Sequence, residues 1–458
     1  MALPGAGPQI AGLPSQLCKV FGLNLRPTVS VLTVFALLAG CAPESSESAS
    51  SGTNDGEQTA PDSPSPFMYV WAGDMDPADG GSDFLAVVDA DPDSPTYGDI
   101  VSSAPVGSTG NNPHHAEPVA PAGGVLFANG FSADRTFLFD ITDPAAPALD
   151  RPLDPIDGYR YLHSFARGPD GYIFATAQTG DSTRAGNVGG LAKFDGDGNF
   201  VAVASAEAPG WDGRPIRPYA VEVFPEQDRV ITTSSAMLPE YSEDVIQVWR
   251  GSDLELLATV PFDHYPAANE IECSIEAALL EGQECTPDQL AGHDRPFEVR
   301  RLADGSAFLN TLTCGFYHIT GLEGEEPAVH PVLNWENEIG CAVPTVMGDI
   351  WVMPLMFTNQ VVTLDVSDPM APVEMARMTP EVDFGPHWAQ GDPVSNRVAM
   401  TGIGEAGMQV RMYVLDPATG ALSLDPGFAD GGILDMNRAL WPHGEGGMAM
   451  PHAVLFGR

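Results

Sequence analysis

The chain has 458 residues, 43% hydrophobic and 18% charged, with 20 basic against 62 acidic side chains and a formal net charge of −42. A phosphate backbone needs a basic footprint that is absent here, so nucleic acid is excluded as a partner, and an anionic lipid surface attracts such a chain no better. The surplus of carboxylates suits solubility and a monomeric state, as in a salty habitat.

The N-terminus reads as a targeting segment. Lys19 and Arg26 precede the apolar run VSVLTVFALLAGC (29–41), which is too short to cross a bilayer. The run ends Leu38-Ala39-Gly40-Cys41, which resembles a bacterial lipobox. Residues 1–40 are therefore expected to be a lipoprotein signal peptide, with Cys41 lipidated. An exported protein follows, anchored by lipid to an inner or outer bacterial membrane and either periplasmic or on the cell surface. Residues 41–66, rich in Ser, Glu, Pro, Gly and Thr, are expected to be a disordered tether.

From residue 67 the chain is a succession of β-runs punctuated by 49 Gly and 42 Pro, with helix expected only around Ile275–Leu280. FMYVWAG (67–73), DFLAVVDADP (83–92) and YGDIVSSAPV (97–106) come first. A repeated layout follows: a lead-in, one marked polar or aromatic position, a turn, then a β-run. It occurs at 112–130, 161–177, 218–234, 296–312, 341–355 and 386–402, and as a half-copy at 451–458. The marked positions are His115, His163, Tyr219, Phe297, Ala342, His387 and His452.

Behind each copy lies a hairpin such as FLFDITDPAAPAL (137–149) or VVTLDVSDPMAPVEM (361–375), where Asp and Pro pre-set the turn. Seven hairpins start near residues 86, 137, 191, 246, 317, 361 and 412, a period of about 50 residues that reads as propeller blades. The last copy supplies one strand and the N-terminus three, which together complete a blade. The expected fold is all-β: a seven-bladed β-propeller over residues 67–458, closed by pairing of the C-terminal strand with the N-terminal strands.

Setting aside Cys18 and Cys41, the cysteines are Cys273, Cys285, Cys314 and Cys341, an even number suited to an oxidising compartment. Three pairings are possible. Sequence proximity favours Cys273–Cys285, inside an insertion at 264–293, and Cys314–Cys341.

Histidine takes four of the seven marked positions, with His114 beside His115. The first strand of each propeller blade lines the central channel, so equivalent positions converge there. A lone histidine at a strand start is most often a satisfied hydrogen-bonding residue; several converging ones repel each other's protons, stay neutral and become metal ligands. The expected ligands are His114, His115, His163, His387 and His452, with Tyr219 and Phe297 walling the pocket. An imidazole-rich site favours copper over zinc, iron or nickel. Glu117 lies close to the His pair. His264, His293, His318 and His330 are expected to be structural, and His443 is kept as an outside candidate at the channel mouth.

At these residues the chain resembles the selenium-binding protein / methanethiol oxidase family. The similarity is carried by DFLAVVDADPDSPTYGDIV (83–101), His114-His115, Leu162-His163-Ser164, Gly189-Gly190-Leu191 leading to Asp195, LDPGF (424–428) and His452. It implies a propeller, copper held by His114, His115, His163 and His452, and oxidation of methanethiol with oxygen to formaldehyde, hydrogen sulfide and hydrogen peroxide. His387 comes from the repeat alone. Ala166, Ala453 and Leu455 stand where the family carries His, Glu and Arg, and the family's Cys-rich insertion is absent. The resulting expectation is a copper oxidoreductase acting on a small thiol. The rivals are a non-enzymatic, surface-anchored binding propeller, suggested by the DPAAP and DPMAP hairpins, and a metal storage or trafficking protein.

Overall fold

The computed structural model describes residues 63–76, 81–180, 188–211, 215–235, 237, 242–262, 295–324, 326–335, 338–444 and 446–457. The signal segment with Cys41, most of the tether, the expected helix near 275–280, the Cys273–Cys285 pair, His264 and His293 lie outside these residues.

Seven antiparallel sheets form the blades, and each runs from an inner to an outer strand. Blade 1 is Pro113–Ala116, Val125–Gly130, Arg135–Asp140 and Ala148–Pro152; blade 2 is Arg160–Arg167, Ile173–Thr179, Gly190–Phe194 and Phe200–Ser205. Blade 3 is Pro218–Phe224, Arg229–Ser234, Val245–Arg250 and Leu256–Pro261; blade 4 is Pro296–Arg301, Ala307–Thr311, Gly315–Thr320 and Ala328–Asn334. Blade 5 is Thr345–Met347, Ile350–Leu355, Gln360–Asp365 and Val373–Met378. Blade 6 is Pro386–Gly391, Arg397–Gly402, Gln409–Leu415 and Leu422–Leu424, with Ile433–Asp435 added beside its third strand.

Blade 7 closes the ring. Its inner strand, Ala449–Gly457, comes from the C-terminal part of the chain and pairs with Phe67–Asp74, which leads to Phe84–Asp89 and Ile100–Pro105. The domain begins slightly before residue 67. Ser65 is buried, hydrogen-bonds both oxygens of Asp392, and accepts from Arg397 through its carbonyl.

The burial pattern explains the sequence pattern. Middle strands are covered by neighbouring blades on both faces, so Phe84–Asp89, Ile350–Leu355 and Arg397–Gly402 are buried throughout. Apolar residues run almost continuously along such strands. Outer strands such as Ala148–Pro152 alternate between half-buried and exposed. Packing is between blades: Phe127 and Leu138 of blade 1 meet Phe165, Ile173 and Phe194 of blade 2. The Cys314–Cys341 disulfide joins the turn before blade 4's third strand to the lead-in of blade 5.

Two of the family-like stretches, 83–101 and 424–428, meet at the junction of blades 6 and 7. Tyr97 donates to Asp425 at 2.8 Å, stands edge-on to Phe428, and accepts the Ala429 N–H through its carbonyl. Gly98 adopts φ +91°, and a Cβ there would lie 2.2 Å from the Ala429 nitrogen, so only glycine fits. These motifs fasten the ring.

Candidate metal centre

The inner strands share an irregularity at the marked position. In blade 4 Phe297 has no partner, in blade 6 His387 has none, and in blade 7 His452 has none, because the register shifts by one residue across each. In blades 1, 2 and 3 the pairs His114-His115, His163-Ser164 and Tyr219-Ala220 each face a single residue of the second strand: Asn129, Thr176 and Thr233. Blade 5 shows the same excess between Cys341↔Leu355 and Thr345↔Val352. These are β-bulges, where an extra residue interrupts the alternation of side chains. In blade 1 the bulge buries both adjacent histidines.

A bulge leaves backbone groups without ladder partners, and second-strand side chains take them up. Asn129 Oδ1 accepts the His115 N–H at 2.7 Å, Thr176 Oγ1 accepts Ser164 N–H at 3.0 Å, and Thr233 Oγ1 accepts Ala220 N–H at 2.9 Å. The same side chains reach the next blade. Asn129 donates to the carbonyls of Leu162 and His163, Thr176 to Tyr219, Thr233 to Phe297, Asn310 to Cys341 and Ala342, and Thr401 to His452. Sequence reading missed these five clasps. Their signal is a polar residue 13 or 14 positions after the marked one: 115 to 129, 163 to 176, 219 to 233, 297 to 310, 387 to 401.

The five expected histidines form one contiguous group. Candidate ligand atoms of His114, His115 and His163 all lie within 4.8 Å of one another. His114 is the hub: its Nδ1 is 2.9 Å from His452 Nε2 and its Nε2 is 3.0 Å from His163 Nε2. His387 lies beside His452 with tilted rings, their centroids 4.5 Å apart. Tyr219 packs on His163 at 4.0 Å and Phe297 on Tyr219 at 4.4 Å. Trp388, 4.9 Å from His115, and Phe131, 5.4 Å from His163, complete an aromatic jacket that sequence reading did not include. Three placements differ from expectation or were open. Glu117 turns away to a buried pair with Arg167 and the Phe127 N–H. Ser164, unremarked as a site residue, sits 2.9 Å from His115 Nδ1 and 3.0 Å from His163 Nδ1. His443 does not hang over the channel: it packs beside Trp441 against Phe84 and Ser103, on the third and fourth strands of blade 7.

The contacts fix the tautomers of the group. His452 Nδ1 faces the His114 carbonyl at 2.6 Å, so it carries the hydrogen and its Nε2 is bare. His114 Nδ1 must then donate to that Nε2, leaving His114 Nε2 bare toward His163 Nε2. His163 then carries its hydrogen on Nε2, and its bare Nδ1 accepts from the Ser164 hydroxyl at 3.0 Å, which accepts in turn from His115 Nδ1–H at 2.9 Å. Neutral rings satisfy these contacts, and the group stays unprotonated near neutrality. Burial holds His163 down to about 3 and His452 to about 4, and burial with the neighbouring imidazoles holds His114 and His115 well below the usual range. Burial and His452 do the same to His387. His115 Nε2 and His387 Nδ1 are buried with no hydrogen-bond partner. A metal cation fits this donor set: Nδ1 of His452, His163 and His115 lie against a carbonyl, a carbonyl and a hydroxyl, the outer contacts that orient ligating imidazoles.

Methanethiol oxidase of Hyphomicrobium sp is 27% identical over 182 residues, covering 39% of this chain and 40% of that protein. Methanethiol oxidase of Ruegeria pomeroyi is 28% identical over 141 residues, covering 30% of this chain and 31% of that one. Part of this chain is thus similar to the methanethiol oxidases. The matches span well under half of those relatives' length, and no family model matches the chain. Among solved structures, a hypothetical selenium-binding protein from Sulfolobus tokodaii shares the fold at TM-score 0.64 and 16% identity, over 86% of this chain and 94% of that one. The periplasmic gluconolactonase of Pseudomonas aeruginosa does so at TM-score 0.55 and 14% identity, over 86% of this chain and 99% of that one.

Proposed function

We propose that this protein is an exported, lipid-anchored, copper-dependent oxidoreductase that oxidises a small thiol such as methanethiol with oxygen at the histidine centre. The single observation that carries the metal is the buried convergence of His114, His115 and His163, whose candidate ligand atoms lie within 4.8 Å of one another, with His115 Nε2 left without a hydrogen-bond partner. Copper among imidazoles would supply one-electron redox chemistry and a soft partner for sulfur. The chain's own residues keep the imidazoles neutral by burial, orient them through the His114 and Tyr219 carbonyls and Ser164, and surround them with Tyr219, Phe297, Trp388 and Phe131. That jacket favours a small apolar substrate over a sugar or a peptide. The lipid anchor rests on residues 19–41 and the thiol on the relatives' names.

The test is metal analysis of protein isolated from its native compartment, together with methanethiol-dependent release of peroxide. We expect bound copper and turnover in the unaltered chain, and loss of both in H115A and H163A. Native protein free of metal would end this reading. A second reading, metal binding without turnover, is favoured by the position of two cavities. Those of 590 and 520 Å3, lined around Tyr97–Asp99 and around Met347 and Gln390, include none of the five histidines. Copper binding without peroxide release would select it.

A further inference from the structure

A second group of soft donors lies on the outer part of the ring, where blade 5 leans on blade 4. His318, on the third strand of blade 4, pairs across the sheet with His330 on the fourth, their ring centroids 6.4 Å apart. The hairpin Asp368-Pro369-Met370-Ala371-Pro372 of blade 5 reaches over and sets Met370 Sδ 3.2 Å from His318 Nδ1. Met370 is 52% exposed, whereas His318 is 6% exposed.

Hydrogen counting shows that this contact is not satisfied by a neutral ring. Ser306 has one hydroxyl hydrogen and gives it to Asp304 Oδ1 at 2.5 Å. The hydroxyl oxygen must therefore accept from His318 Nε2–H, 2.9 Å away. His318 Nδ1 is then bare, and it points at a thioether sulfur that has no hydrogen to give. Two lone pairs face each other. Burial, the largest influence, lowers the pKa of His318, with His330 acting the same way and Asp304 and Asp368 opposing. The facing carboxylates of Asp304 and Asp368 make the spot hospitable to a cation. The Asp304–Ser306–His318 relay is also the outer arrangement that fixes a ligating imidazole in one orientation.

We propose that His318 Nδ1 and Met370 Sδ, flanked by His330, form a peripheral binding site for a soft monovalent cation of the Cu(I) or Ag(I) class. An imidazole nitrogen with a thioether sulfur selects such ions over Zn(II), Mg(II) or Ca(II). The site is independent of the central histidines, and its solvent-exposed sulfur leaves the cation open to exchange.

The experiment uses the full chain carrying 13C-methyl methionine, titrated with Ag(I), and the substitution M370L identifies the Met370 methyl signal. We expect that signal to move on the first equivalents of Ag(I), and the Ag(I) stoichiometry to fall by one in M370L. H318Q should abolish the shift, and H115A should retain it. A Met370 signal unmoved by Ag(I), or a stoichiometry unchanged in M370L, overturns the proposal. Because Met370 is exposed, M370L tests it even if H318Q fails to fold. A central channel devoid of copper would overturn the copper oxidoreductase reading and leave this result standing.

Discussion

The chemistry of the centre depends on imidazoles kept unprotonated. Burial holds His163 down to about 3. The unfolded chain has no such restriction. Histidines with depressed folded pKa values take up protons on unfolding once the pH drops below the ordinary imidazole value, so stability falls there. For His452, held to about 4, the loss by pH 5 is about 2 kcal/mol. We expect chelator-treated protein to melt at a constant temperature above pH 7 and progressively lower between pH 6.5 and 4. Metal-loaded protein should be shifted upward throughout, since a ligand that binds only the folded state stabilises it. Melting curves across that range check both statements; a metal-free midpoint independent of pH contradicts them.

At the scale of strands, the bulge is the device that makes a site out of a sheet. Asn129 serves three backbone groups at once, the His115 N–H and the carbonyls of Leu162 and His163. Removing it leaves a buried donor and two acceptors unmet, at about 1–3 kcal/mol for an unsatisfied group. We expect N129A to lose about 3 kcal/mol in denaturant unfolding and to bind metal more weakly, since both blades that carry the first three histidines shift. The blades, their order and the closure were readable because turn chemistry and apolar runs recur at a steady interval. Strand register was not, because apolar alternation alone does not show where an extra residue enters. A local clue exists: Pro113, Pro218, Pro296, Pro386 and Pro451 immediately precede the bulged residues. Proline has no N–H to leave unpaired and tolerates such positions. Aligning on it puts His114, not His115, in the marked place, and His114 is the hub. The clasps escaped notice because Asn and Thr in a strand look like ordinary polar residues until the neighbouring blade is seen. His443 was misplaced because proximity in sequence to the last strand says nothing about which side of a long loop it takes.

The ring as a whole is held by unlike fasteners at different seams. Blades 6 and 7 are joined by Tyr97, Gly98 and Asp425, and blades 4 and 5 by Cys314–Cys341. That disulfide spans 27 residues, and a crosslink of that span restricts the unfolded chain by about 3–4 kcal/mol in the loop-entropy account. We expect C314S/C341S to unfold at lower denaturant by roughly that amount while keeping the histidine centre, which draws on blades 1, 2, 6 and 7. Equal stability of the two proteins would show that the crosslink contributes nothing.

Closing the ring through Ala449–Gly457 has a temporal consequence as well as a spatial one. During translation His114, His115 and His163 emerge well before His452. Until it arrives the hub imidazole lacks one of its two partners, so a half-made polypeptide holds only part of the cluster. The complete group assembles only once the strand that carries His452 has docked beside Phe67–Asp74.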